Sequence, residues 1–130
     1  MKLIPKTKEE RLEVVNKIIH EIASRGRKFF YNKHNDKYAE MVIEKGKVYF
    51  IDDYTNERVY AYNTGMNNHR GFSHGGTMWG LINDFREFIV KGEYTNHNNG
   101  YGGLYCPHWG YPKEDMEAIQ NYAKELGYLK

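Results

Sequence analysis

Residues 37–62 read KYAEMVIEKGKVYFIDDYTNERVYAY, and the reading of this stretch decides the fold. Lys45 and Gly46 divide two runs of strand-forming residues with the two-residue signature of a hairpin. Residues 53–57 (DYTNE) supply a second turn. The spacing predicts strands over residues 37–44, 47–52 and 58–62. Upstream, residues 27–32 (RKFFYN) read as a short aromatic strand, and residues 32–36 (NKHND) carry turn chemistry. Connections this short join antiparallel neighbours, which makes a four-stranded meander.

Helices bracket the meander. Residues 7–24 read as the first, with Thr7 as N-cap and Glu10 three positions on, a capping box. Leu12, Val15, Ile19 and Ile22 recur at helical spacing, and Val14 and Ile18 widen the stripe. Gly26 reads as its stop. A second helix is expected over residues 77–91, capped by Thr77 and ended by Gly92, with Met78, Leu81, Ile82, Phe85, Phe88 and Ile89 on one apolar face. Pro112 opens a third, where its missing N–H does no harm. Met116, Ile119, Tyr122, Ala123 and Leu126 face the core there, and Gly127 ends it. The order α-β-β-β-β-α-α predicts a single two-layer α+β domain over residues 1–130, one antiparallel sheet packed by three helices.

A chain of 130 residues buries enough surface to fold without staples. Its one cysteine, Cys106, cannot form an internal disulfide. No apolar run approaches the roughly 20 residues of a membrane span. The opening residues lack the apolar region of a signal peptide. The expectation is a cytoplasmic protein with no membrane partner. Net charge is +2, unevenly placed: residues 1–33 hold nine Lys/Arg against four Glu. Such a basic end suits a phosphate backbone or an acidic partner, and equally a solvated helix face. Twelve tyrosines suit an interface or a sheet, and the count does not separate the two.

Two segments, residues 63–76 and 93–111, are rich in Gly, Asn, His and aromatic residues and have no periodicity. Loops of that length in a compact domain are usually functional or mobile. The chain also carries RKFFY at residues 27–31, YFIDDYTNERVY at 49–60, RGFSHGGT at 70–77 and HWGYPKEDM at 108–116. In combination these motifs, spread over residues 25–127, resemble a family of small phage and prophage proteins. The resemblance implies a phage-encoded accessory protein and supplies no mechanism. By context, such proteins often bind and disable a host system such as restriction or CRISPR machinery.

Four chemistries can be read into the two segments. Arg70, Phe72, His74, Tyr101, Tyr105, His108 and Trp109 have the make-up of a recognition surface for a host protein or ribonucleoprotein. The rings of Trp79 and Trp109 would serve equally to finish the core. Ser73, Gly75, Gly76 and Thr77 run into the second helix, where free amides attract anions. A plain helix cap accounts for the same residues. Cys106, His108 and His74 are of zinc-ligand type but lack the spacing of a known finger. Asp52 and Asp53 with His69, Arg70 and His74 suit a hydrolase or nuclease on paper. Adjacent strand residues face opposite ways, however, and Asp52 can simply pair with Arg58. A fifth reading places nucleic acid on Arg25, Arg27, Lys28 and Lys33 beside Phe29 and Tyr31. Phe30 would then face away from them, so one of the two ring sets must be core. No catalytic set stands above its structural alternative, no cofactor is implied, and the leading expectation is a binding protein.

Overall fold

A computed structural model of the chain describes residues 7–25, 30–32, 36–52, 57–60, 75–93, 104 and 113–129. Helix α1 spans Lys8–Ser24. Its capping box is formed as expected: Thr7 Oγ1 accepts from the Glu10 amide at 3.0 Å, and Glu10 Oε1 accepts from the Thr7 amide at 3.0 Å. Both bonds satisfy amides that a helix start leaves without partners. The apolar stripe is buried as read, with Val15, Ile18, Ile19 and Ile22 fully enclosed.

The expected four-stranded meander is recorded as two ladders. Strands β1 (Tyr31–Asn32) and β2 (Lys37–Tyr38) form a two-residue antiparallel pair. Strands β3 (Glu40–Glu44), β4 (Lys47–Asp52) and β5 (Glu57–Tyr60) form a three-stranded antiparallel sheet in that order. Lys45 and Gly46 both have positive φ, +53° and +79°, the backbone of a type I′ hairpin turn.

Asn16 of α1 bonds the outer edge of β3 beyond the first ladder. The Ala39 amide still donates to Phe30 O at 2.9 Å. Two residues further on, Asn16 Nδ2 donates to Met41 O at 3.0 Å, and Asn16 Oδ1 accepts from the Met41 amide at 2.7 Å. A side-chain amide thus pairs the Met41 backbone as a neighbouring strand would. An unpaired edge invites other strands, so this also protects β3.

Helix α2 (Gly75–Lys91) starts two residues before Thr77, so Thr77 lies inside the first turn and is not its cap. Helix α3 spans Lys113–Glu125. Helix α1 packs against β3, α2 and α3. One core joins α1, α2 and α3 to Phe30, Ala39, Met41, Val48, Phe50, Leu104, Tyr128 and Leu129. Met41 and Phe50 face each other across β3 and β4, and Phe30 meets Phe50 edge to face at 6.0 Å. Among the described residues no helix is long and apolar enough to cross a membrane.

Candidate functional site

Most of the residues proposed from sequence lie outside the described residues: Arg70, Phe72, Ser73, His74, Tyr101, Tyr105, Cys106, His108 and Trp109, and likewise Arg27, Lys28, Phe29 and Lys33. Gly75, Gly76 and Thr77 are the first three residues of α2, whose first turn carries no acidic side chain. Among the described residues no three His, Cys, Asp or Glu side chains gather as metal ligands.

The mounting of the two Gly/Asn/aromatic segments is on view. Helix α2 lies between them in sequence and is buried at every position from 80 to 85, including Asn83 (5% exposed) and Asp84 (8%). An Asn-Asp pair inside a helix is unfavourable for local structure, since both side chains compete for backbone hydrogen bonds. That was the signal in the sequence for a polar face that is enclosed rather than solvated. Gly92, at φ +70°, ends α2, and its amide donates to Phe88 O at 2.9 Å. This αL cap leaves the next carbonyl, Ile89 O, without an intrahelical donor. Arg11 from the first turn of α1 supplies one, with Nε 2.9 Å away in a buried setting. Its cation also sits at the negative end of the helix. Leu104, in the second segment, is 1% exposed and in the core, and Gln120 Nε2 of α3 donates to its carbonyl at 2.9 Å. Sequence reading missed Arg11 and Leu104, because each is explained only by a neighbour distant in the chain.

Arg25 has a structural position. Its Nε donates to Glu21 Oε2 and its second arm to Asp115 Oδ1, both at 2.8 Å, tying the end of α1 to the first turn of α3. Bonding to Glu21, with Asp115 adding to it, raises the guanidinium pKa above its ordinary value. The expected Asp52–Arg58 pair involves a side chain, that of Asp52, which lies outside the described residues. The register sets Arg58 opposite Ile51, and its guanidinium bonds Glu44 and lies 4.2 Å from the Tyr49 ring centre.

The ring sets of the first strand are partly sorted. Phe30 is fully buried, so its face is core. Tyr31 lies in an aromatic stack that the sequence did not disclose. Tyr38 is 40% exposed and touches both His20 and Tyr31. The His20–Tyr38 centroids are 4.3 Å apart and near parallel at 26°, and the Tyr38–Tyr31 centroids are 4.9 Å apart. The Tyr31 hydroxyl donates to Asp36 Oδ1 at 2.9 Å, and that bond raises the phenol pKa above its usual value.

Comparison with known proteins adds the context. The YoqU family model matches residues 6–130. A relative from Bacillus subtilis strain 168, described as SPbeta prophage-derived uncharacterized protein YoqU, is 38% identical over 121 residues, covering 93% of this chain and 84% of its own length. No solved structure matches the chain.

Proposed function

The chain belongs to the YoqU family, and from that premise we propose that it is a prophage accessory protein that acts by binding a macromolecule of the bacterial host. The observation that carries this reading is the fixed mounting of the two unusual segments. Helix α2 is enclosed from residue 80 to 85 and clamped at its end by Gly92 and Arg11. Leu104 is held in the core within five residues of Tyr101, Tyr105, His108 and Trp109. Binding residues are commonly carried on connecting segments that a rigid body positions. Aromatic and arginine side chains in such segments are the usual anchors of a recognition surface.

The proposed surface is Arg70, Phe72 and His74 from the first segment with Tyr101, Tyr105, His108 and Trp109 from the second. The proposed partner is a host protein or ribonucleoprotein, and inhibition of a defence system such as restriction or CRISPR is the proposed role. The test is affinity capture from an extract of Bacillus subtilis 168, the organism of the relative, followed by identification of the captured species. The full chain is expected to retain one stoichiometric partner. Arg70→Ala, Tyr101→Ala and Trp109→Ala are expected to lose it while keeping their far-UV spectra and melting temperatures. Equal capture by all three variants would overturn the assignment.

A further inference from the structure

We infer that the exposed His20–Tyr38–Tyr31 stack is a binding platform for single-stranded nucleic acid, made of residues other than those of the surface proposed above. Tyr38 is the one large hydrophobic side chain left exposed among the described residues. It is held in place. Its ring touches His20 of α1 and Tyr31 of β1, and the Tyr31 hydroxyl is in turn fixed by Asp36. Two different elements therefore pre-order a set of rings at the surface, which reduces the entropy lost when a further ring is added. Every base has a face that can stack on such rings, so the contact is tolerant of sequence but needs an unpaired base.

Charge around the stack fits the same ligand. Among the described residues of 25–38, Arg25 and Lys37 are cationic and Asp36 is the one acid. Asp36 accepts the Tyr31 hydroxyl, and Glu21, one residue after His20, is paired with Arg25. Lys37 beside Tyr38, and Lys17 one turn before His20, are both exposed. Cations along a backbone track combined with stacking rings are the recurring means of holding single strands. The ion pairs of Arg25 remove it from the phosphate contacts, and Lys37 and Lys17 take its place.

The experiment is fluorescence anisotropy of the full chain with labelled oligothymidylate and oligouridylate of about 20 nucleotides, a length that spans a typical single-strand site. Affinity is expected to fall steeply with added salt and to be weaker for a duplex of equal length. Tyr38→Ala is expected to lower affinity at least about fivefold with the salt slope unchanged, as loss of one stacked base would. Tyr38→Trp is expected to restore it, which separates stacking from any effect on folding. Lys37→Ala is expected to reduce the salt slope by about one ion. No binding at low salt, or Tyr38→Ala within about twofold of the parent, would overturn the inference; so would equal affinity for duplex. If Tyr38→Ala instead abolishes capture of a host protein from nuclease-treated extract and leaves oligonucleotide affinity intact, the stack belongs to a protein partner and the inference fails. The stack is tested by Tyr38→Ala and the proposed function by Arg70→Ala and Trp109→Ala, so failure of one and failure of the other are told apart.

Discussion

Replacing Asn16 tests how the edge of the sheet is closed. The Asn16 amide makes two bonds to Met41, at 3.0 and 2.7 Å, in a partly buried setting. Each such bond contributes roughly 0.5–1.5 kcal/mol net, and orphaned backbone groups add to the loss. Alanine is a better helix former than asparagine and returns about 0.6 kcal/mol. Asn16→Ala is therefore expected to cost about 2 kcal/mol and to lower Tm by roughly 8 °C in a domain of this size. Urea unfolding followed by far-UV circular dichroism measures it, with an unchanged m-value showing that the unfolded state is unaffected. Asn16→Asp sharpens the test. One carboxylate oxygen can still accept from the Met41 amide, but the other meets Met41 O without a proton to offer. At neutral pH this variant should be at least as unstable as Asn16→Ala, and it should regain stability on acidification as the carboxyl becomes a donor. An Asn16→Ala cost below about 0.5 kcal/mol, or an aspartate variant as stable as the parent at neutral pH, would refute the argument.

The C-terminal clamp on α2 should be non-additive. Arg11→Ala is expected to cost about 2 kcal/mol by losing a charge-assisted bond at a helix end. A Cβ at position 92 would stand 3.0 Å from the Arg11 guanidinium carbon, on a backbone with φ +70°. Gly92→Ala should therefore cost about 1–2 kcal/mol alone and less when Arg11 is already alanine, as a double-mutant cycle would show. The Tyr31 phenol titrates above its ordinary value in the folded chain. The stability from its bond to Asp36 is thus complete at neutral pH and is lost as alkali carries the pH through the raised value; Asp36→Asn should bring the Tyr31 titration, read by ultraviolet absorbance, back down. Tyr128 packs on Phe85 and Phe88 at 5.4 and 5.0 Å between ring centres. Tyr128→Ala should cost about 3–5 kcal/mol by leaving a cavity, measured by denaturant unfolding.

What was legible in the sequence was what neighbours along the chain decide. The Thr7–Glu10 box, the Lys45-Gly46 turn, the stripe of α1 and the glycine stops at 92 and 127 each depend on residues within a turn or two. The ends of elements were less legible. The strand expected over residues 37–44 breaks at Ala39, and α2 begins at Gly75, ahead of its expected cap. The mismatches are long-range. Asn16 finds Met41 across 25 residues and Arg11 finds Ile89 across 78, and no local pattern encodes either. Asn16 still left a trace, as a poor helix former placed mid-helix where only a specific partner rewards it. The His20–Tyr38 stack left none, because an exposed ring pair between a helix and a strand has no spacing rule.

The end of α3 is closed by a pair of bonds around Gly127, with the Gly127 amide on Lys124 O at 3.2 Å and the Tyr128 amide on Ala123 O at 2.9 Å. This turn drives Tyr128 and Leu129 inward, to 0% and 2% exposure. One of the largest rings in the interior is therefore supplied from just beyond the end of α3. The interior cannot close until those two residues are in place, so consolidation of the core waits for them. A product ending before Tyr128 would leave a hole in the core, a form that cellular proteases recognise readily.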